Sequence, residues 1–245
     1  MRNYKLLIQY DGTDFAGWQI QKNHITVQQL ISDALEILLR EKVNLIGSGR
    51  TDTGVHALGQ TANFKTEKQI DIYRFTHSLN AILPQSISIK TMEETYEGFH
   101  SRFDAIKRSY LYFITTDKSP FFYKYSYHCN EHYDAVLLNK ISKELIGTFD
   151  YSSVSKNNPD QRSKICTVHE AHWYRKGNFL IFLIEANRFL HGMVRITVGT
   201  ILQIAKENKI SLGEIIKAKD KSLAGGSVPA RGLFLYKVKY KTDGL

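Results

Sequence analysis

The order of apolar and polar residues predicts four strands and two helices in the N-terminal part of the chain. Residues 4–10 are apolar and aromatic enough for a buried strand, which the turn pair Asp11-Gly12 closes. Thr26 and Gln29 fit a capping box, and apolar residues then recur every three or four positions up to Arg40, as in an amphipathic helix. The other predicted elements are strands at 43–46, 60–64 and 87–92, and a helix from Asp71 to just before Pro84.

The C-terminal half predicts the same order again, with strands at 109–114, 168–174, 179–186 and 233–240 and helices at 135–146 and 189–206. Strand, helix, strand, strand, helix, strand is the ferredoxin-like unit, which covers one sheet face with two helices. We therefore expect an α+β fold of two tandem ferredoxin-like βαββαβ units, spanning 1–104 and 105–245. Their sheets are expected to merge into one mixed, mainly antiparallel sheet, with helices on one face and a cleft on the other. The most polar run, 152–163, is predicted to be a mobile insertion.

The composition adds a strong basic charge to this picture. The formal net charge is +9 and the pI is near 9.4, which favours a polyanionic partner such as nucleic acid or a membrane surface. A merely basic surface is the alternative. The N-terminus has no apolar run that suits a signal peptide or a membrane span, so we expect a cytoplasmic protein. Cys129 and Cys166 form no CxxC, so neither a disulfide framework nor a cysteine zinc site is implied.

The stretch SGRTDTGVH, residues 48–56, is predicted to be a loop that carries chemistry. Its glycines and threonines make a poor helix and a poor strand interior. In an extended stretch, Arg50 and Asp52 would point to the same side, where the guanidinium keeps the carboxylate ionised. An ionised aspartate kept dry is a nucleophile or a general base. The alternative is a turn aspartate that caps its own backbone.

Further along the chain, one charged residue stands out among apolar neighbours. Arg195 lies in an otherwise apolar helix, and burying it is costly unless a carboxylate pairs with it. By pattern alone, Tyr110 and Leu233 are core residues. His169 and His172 are spaced one residue short of an HExxH motif and lie in a predicted strand, so no metal site is expected there.

Five blocks of sequence, in order, resemble the tRNA pseudouridine synthases of the A type. The blocks are YDGTDFAGWQIQ (10–21), GRTDTGVHALGQ (49–60), FHSRFDAIKRSYLY (99–112), NRFLHGMVRITVG (187–199) and PARGLFL (229–235). The resemblance implies an isomerase that converts uridine to pseudouridine on the 3′ side of the anticodon stem-loop of tRNA. It also implies a homodimer with an RNA-binding cleft, and no metal or other cofactor.

The resemblance assigns a role to each matching position. It makes Asp52 the essential aspartate, which attacks the ribose or, in a rival scheme, removes a proton from it. Arg50 would replace the flipped-out uridine in the helix, Tyr110 would stack on the target base, and Leu233 would lie on the base's other side. Arg195 matches the arginine that pairs with the aspartate.

Other positions in the blocks are expected to contact the RNA or to brace the site. Among basic residues, Arg102, Arg108 and Arg231 are expected to matter most, while His56 is predicted to face the RNA or to brace the loop. The chain departs from the family pattern at Thr53, where Ala is more usual, and at Gly192, where a second His is common.

Two other functions remain open at this point. A catalytically inactive relative would bind tRNA and act as an RNA chaperone. A metal-dependent RNA hydrolase on a similar scaffold would need a cluster of carboxylates or histidines, which the sequence does not offer.

Overall fold

The computed structural model describes residues 1–157, 163–207 and 209–241. Its contacts divide the chain into two compact units. Unit 1 holds Met1–Ile106 and the chain from Phe234 onward, and unit 2 holds Lys107–Leu233. The division at 104/105 that the sequence suggests stays a prediction.

Ten strands and five helices follow one another within the described residues. In chain order they are β1 (Arg2–Tyr10), α1 (Val27–Leu39), β2 (Ile46–Gly47), β3 (His56–Thr66), α2 (Ile72–Ile82), β4 (Ile87–Thr95), β5 (Ala105–Thr115), β6 (Tyr127–His128), α3 (Ala135–Ser142), β7 (Gly147–Asp150), β8 (Ile165–Lys176), β9 (Phe179–Ala186), α4 (Met193–Glu207), α5 (Leu212–Ala218) and β10 (Leu233–Tyr240). The α+β class and the predicted order of the main elements are confirmed.

Unit 1 has the strand order of a ferredoxin-like sheet. Strand β1 is central and antiparallel to both β4 and β3, and β2 pairs with β3, which gives the order β4-β1-β3-β2. The same side of β3 also receives β10, which runs parallel to it with Phe234 opposite His56. The last strand of the chain therefore completes the sheet of the first unit.

The core of unit 1 lies between this sheet and helices α1 and α2. Along β1 the side chains of Leu6, Ile8 and Tyr10 are buried, and they alternate with partly exposed neighbours. Ile31 and Leu35, one helical turn apart on α1, are buried as well. Full burial of each such aliphatic side chain stabilises the fold by about 1.5–3 kcal/mol.

Side-chain hydrogen bonds decide where the first elements begin and end. Thr26 caps α1 as predicted by accepting from the Gln29 amide, but the Gln29 side chain bonds to Asp33, so the box is only half formed. Strand β2 is shorter than predicted. The Val43 amide bonds to the Glu36 carboxylate and the Leu45 carbonyl accepts from Gln28, so these backbone groups have partners outside any sheet.

Unit 2 contains the sheet β5-β9-β8-β7, in which all pairs are antiparallel, and β6 lies parallel to the end of β5. Its strands β8 and β9, which the sequence predicts as two separate strands, form a hairpin. Helix α4 begins at Met193 rather than at 189, because the preceding residues form a turn in which Gly192 has φ +69°. Helix α3 ends earlier than predicted, and a 3-10 turn at Lys143–Leu145 follows it.

The sequence did not predict α5, although its start carries a complete capping box. The Ser211 side chain accepts from the Glu214 amide, and the Glu214 carboxylate accepts from the Ser211 amide. Part of the predicted mobile insertion, 158–162, lies outside the described residues. Before it, Ser152–Val154 forms a 3-10 turn in which Ser153 and Val154 are buried. In the described part of the chain, no helix combines the length and apolar character needed to cross a membrane.

Candidate active site

The loop 48–56 is held by backbone and side-chain bonds from the end of β1, from the segment that follows β1, and from β3. The Trp18 amide donates to the Thr51 carbonyl at 3.1 Å, and the hydroxyls of Tyr10 and Thr51 share a hydrogen bond of 2.7 Å. At the start of the loop, the Ser48 hydroxyl donates to the Gln60 side chain at 2.6 Å. Because β1 and β3 supply these contacts, the sheet of unit 1 fixes the position of the loop.

Close backbone approach requires glycine at Gly17. Its φ is +89°, and a Cβ there would lie 2.4 Å from the Thr51 carbonyl oxygen. A side chain at this position would displace the residue that precedes Asp52. The glycine therefore lets the two segments pack against each other directly.

Asp52 is half-buried, and Arg50 is exposed. The Arg50 Nε donates to Gln19 at 3.3 Å. A turn follows Asp52, because the Val55 amide bonds back to the Asp52 carbonyl and Gly54 has φ +75°. That Arg50 and Asp52 point to the same side, where the guanidinium keeps the carboxylate ionised, stays a prediction.

His56 ends the loop as the first residue of β3 and is 1% exposed, which favours bracing over RNA contact. Its ring stacks on Phe234 with centroids 4.6 Å apart. The Nδ1 atom lies 3.0 Å from the Gly12 amide and 3.1 Å from an Asp11 carboxylate oxygen. A neutral Nδ1 accepts from Gly12, whereas a protonated one would donate to Asp11. Since Thr13 already donates twice to that oxygen, we assign the bond to Gly12.

In unit 2, Tyr110 is buried on β5 and meets Phe189 edge-on, with ring centroids 5.0 Å apart. Phe189 lies in the turn before α4. The sequence did not single out this partner, because a turn aromatic inside a predicted helix carries no contact information. The pair places a flat aromatic wall near the start of β5.

Arg195 and Leu233 are linked by the segment 228–232. The Arg195 Nε donates to the Val228 carbonyl at 2.7 Å, and the Tyr112 hydroxyl donates to the next carbonyl, that of Pro229, at 2.9 Å. Leu233 follows directly and is buried. A Cβ on Gly232 would lie 2.8 Å from the Tyr112 ring, so only glycine lets the segment lie this close to β5.

Tyr112 is a functional candidate that the sequence did not reveal. Burial raises the pKa of its phenol well above its usual range, and the charges of Arg195 and Arg231 offset only part of that shift. The phenol therefore stays protonated and remains a donor at any working pH. Its position two residues after Tyr110 is the only sequence signal, and strand packing explains that spacing equally well.

The basic candidates are held in different ways. Arg108 Nη1 donates to the Asn187 carbonyl at 2.9 Å, so its guanidinium is anchored. Arg102 is exposed, with its guanidinium 5.5 Å from the ring centre of Phe103, which is itself 73% exposed. An exposed cation beside an exposed aromatic ring suits contact with RNA phosphates and bases. Arg231 is exposed.

The histidines of β8 lie on a strand, as predicted. His172 pairs with Glu170 at 3.0 Å, and Glu170 is exposed. In the ranges 1–157, 163–207 and 209–241, no group of three or more His, Cys, Asp or Glu side chains could hold a metal ion.

Comparison with known proteins gives these residues a context. Residues 6–104 and 141–241 match a family model described as tRNA pseudouridine synthase. The chain belongs to the tRNA pseudouridine synthase family. Proteins named tRNA pseudouridine synthase A from Parabacteroides distasonis (40% identical over 99% of this chain and 98% of theirs) and Caldicellulosiruptor saccharolyticus (41%, 98% and 100%) are similar along nearly their whole length. A solved chain from "Crystal Structure of a Cbf5-Nop10-Gar1 Complex" covers 96% of this chain and 59% of its own at 10% identity. Its TM-score of 0.41 is too low to carry an argument.

Within this tRNA pseudouridine synthase family member, the matched ranges include Asp52, Arg195 and Leu233 but not Tyr110 or Arg108. The relatives also align across the gap at 105–140, because their alignments span 98–99% of the chain. The individual roles of these residues, including the pairing of Arg195 with the aspartate, stay predictions.

Proposed function

We propose that this protein isomerises uridine to pseudouridine in tRNA, on the 3′ side of the anticodon stem-loop. The observation that carries the proposal is the half-buried Asp52, in a loop fixed by Tyr10, Trp18 and Gln60, inside a chain that belongs to the tRNA pseudouridine synthase family. The reaction needs one carboxylate in a defined position. A loop tied to two strands supplies that position without reorganisation.

The proposed reaction is an isomerisation, so the product contains the same atoms as the substrate. The bond from the ribose C1′ to N1 of the base breaks, the base rotates, and a new bond forms from C1′ to C5. The proton on C5 is released and N1 takes one up. Asp52 acts on the ribose as the nucleophile at C1′, with proton removal from the sugar as the alternative route.

One aromatic and one aliphatic side chain are proposed to hold the base while it rotates. Tyr110, supported edge-on by Phe189, stacks on one side of the base, and Leu233, at the end of the held segment 228–232, lies on the other. Arg50 is proposed to fill the space that the base leaves in the RNA. Its exposure and its side-chain bond to Gln19 support that role, since an exposed side chain can turn outward at low cost.

RNA binding is supported by charge and by one exposed cluster. The net charge of +9 attracts a polyanion, and Arg102 with Phe103 offers a phosphate contact beside a stacking surface. His56 is proposed to brace the loop through Gly12 rather than to touch the RNA.

The test is tritium release from full-length tRNA labelled at uridine C5, with Asp52→Asn compared with Asp14→Asn. Asp14 is exposed in the same unit and serves as the matched control. Release by the wild type and by Asp14→Asn, lost in Asp52→Asn while tRNA binding persists, is the expected result. Binding without release by the wild type would show an inactive RNA-binding relative instead.

We also propose that the working form is a cytoplasmic homodimer, on the strength of the resemblance alone. Sedimentation equilibrium of the purified protein tests the dimer. A mass of one chain across the micromolar range would reject it.

A further inference from the structure

A turn after β5 exposes an unusual number of aromatic side chains. We call residues 117–128 the aromatic turn; its aromatic members are Phe121, Phe122, Tyr123, Tyr125 and Tyr127. Phe121 is 80% exposed and Tyr123 is 56% exposed. Large aromatic rings normally gain free energy by burial, so a cluster left in water indicates a binding surface.

The aromatic turn is held in one conformation by its own hydrogen bonds. The Ser119 hydroxyl accepts from the amides of Phe121 and Phe122 at 3.2 and 3.3 Å. The Phe122 carbonyl accepts from the Tyr125 amide and from the buried Ser126 hydroxyl, both at 2.9 Å. Its exposed rings are therefore presented on a fixed backbone, so little entropy is lost when a ligand binds.

One ring of the turn anchors it to unit 2. Phe122 meets Phe179 edge-on at 5.2 Å, and Phe179 meets Phe113 edge-on at 5.9 Å. The end of the turn is tied to the sheet, since β6 pairs with β5 at Ile114. With Phe122 used as the anchor, Phe121 and Tyr123 are the rings that remain available to a ligand.

Three lysines belong to the turn or to the hairpin beside it. Lys118 and Lys124 lie in the turn, and Lys176 lies opposite Phe179 across the β8–β9 hairpin. The one carboxylate of the turn, Asp117, accepts from the Asn178 side chain at the tip of that hairpin. Among these residues the formal charge is positive, with three lysines and one carboxylate.

We propose that the aromatic turn is an RNA-stacking platform, on which unpaired bases of the substrate tRNA stack on Phe121 and Tyr123 while the lysines contact phosphates. The inference rests on the proposed function. Aromatic rings interleaved with cations on an exposed, rigid loop are the features that bind single-stranded nucleotides in proteins.

Charge favours RNA over a second copy of the chain. A symmetric dimer formed through this surface would place the patch against itself, with the lysines of each copy facing those of the other. Phosphates would neutralise the same lysines instead. RNA is therefore the occupant to which both the rings and the charges are complementary.

The platform lies away from the position that the target base is proposed to occupy. Tyr110 and Thr115 are five residues apart on β5, which corresponds to roughly 17 Å at ~3.4 Å per residue. A base on Phe121 is then a different nucleotide from the uridine that reacts. The turn contributes to substrate recognition rather than to the chemical step.

The probe is an unmodified full-length tRNA transcript, and its dissociation constant is measured at several salt concentrations. Phe121→Ala is expected to weaken binding about 5- to 150-fold, the usual effect of losing one base–aromatic stack, with the salt slope unchanged. Phe121→Tyr keeps the affinity because it keeps the ring face, whereas Phe121→Leu does not. Lys118→Ala lowers the salt slope by about 0.7–0.9, as expected when one phosphate contact is lost.

Tyr73→Ala is the matched control, since Tyr73 is also highly exposed but lies on α2 of unit 1. Tyr123→Ala is the second variant, and thermal melts verify that all variants fold. Equal affinity of wild type, Phe121→Ala and Tyr123→Ala for the transcript would overturn the proposal. So would a fall in oligomeric mass of Phe121→Ala, which would assign the surface to a second copy. Tritium release by the wild type tests the proposed function separately, so the two failures are distinguishable.

Discussion

The Tyr112 hydroxyl donates to the carbonyl of Pro229, next to the carbonyl of Val228 that accepts from Arg195. Tyr112 on β5 and Arg195 on α4 thus hold two successive carbonyls of the segment 228–232. The segment leads directly into Leu233, which is proposed to contact the base. The Tyr112 hydrogen bond is therefore expected to help fix the position of Leu233.

Tyr112→Phe is expected to lower kcat several-fold and to leave the tRNA dissociation constant unchanged. It removes one buried hydrogen bond, and the unsatisfied Pro229 carbonyl lowers the free energy of unfolding by about 1–3 kcal/mol. Steady-state kinetics and urea unfolding measure the two effects. Tyr236→Phe, at an exposed tyrosine of β10, is the control and should change neither. An unchanged kcat in Tyr112→Phe would show that the segment keeps its place without this bond.

Gly17→Ala is expected to inactivate the enzyme without removing any group that could react. Forcing alanine to φ +89° costs about 1–3 kcal/mol, and its methyl would also press on the Thr51 carbonyl. Gly49→Ala is the matched change in the same loop, where a Cβ would meet nothing within 4 Å. Tritium release and thermal melts of both variants decide the question. Equal activity of the two would contradict the argument from close approach.

Arg102→Ala is expected to reduce the salt dependence of tRNA binding. If its guanidinium contacts one phosphate, the slope of log K against log salt falls by about 0.7–0.9. Arg74→Ala, at an exposed arginine on α2 paired with Asp71, is the control. Filter binding at four salt concentrations gives both slopes. Parallel lines for wild type and Arg102→Ala would mean that the cation lies away from the RNA.

Glu131→Gln is expected to lower stability at neutral pH but not in acid. The hydrogen bond from Lys206, then that from Tyr133, lowers the pKa of the Glu131 carboxyl below its ordinary value of 4.5. A lowered folded-state pKa contributes stability above the unfolded value, and this is lost as the pH falls through the folded one. Urea midpoints of wild type and variant should differ slightly at pH 7 and converge as the pH falls below 4.5 and through the lowered folded-state pKa. If the difference between the two midpoints grew in acid, the pKa of Glu131 would be raised in the folded state, and the stabilising role of its bond to Lys206 would be rejected.

Much of the fold could be predicted because its elements carry local signals. Residues close together in sequence determine the alternation along β1, the apolar stripe of α1 and the two strands β8 and β9. The predictions fail where groups that are distant in sequence determine the bounds of an element. Strand β2 is short because Gln28 and Glu36 on α1 take its neighbours' backbone groups, and no local pattern reveals such partners.

The loop of the candidate site could be located from the sequence, but its supports could not. Arg50, Asp52 and His56 are close in sequence, so their shared loop is visible in the pattern. The side-chain partner of Arg50 is Gln19, which lies 31 positions earlier, and only the folded chain brings the two together. The aromatic turn was missed because exposure, rather than composition, distinguishes a binding aromatic from a core one.

The stacking of Phe234 on His56 has a consequence for how the protein is made. Phe234 comes far after His56 in sequence, so the ribosome has synthesised the loop and all of β3 long before the ring that covers His56 exists. Until β10 emerges, part of one side of β3 has no partner strand, and a contact of such long sequence separation forms slowly. A nascent chain that lacks β10 therefore carries Asp52 in a loop whose support is incomplete, and the synthesis of β10 is the step that completes it.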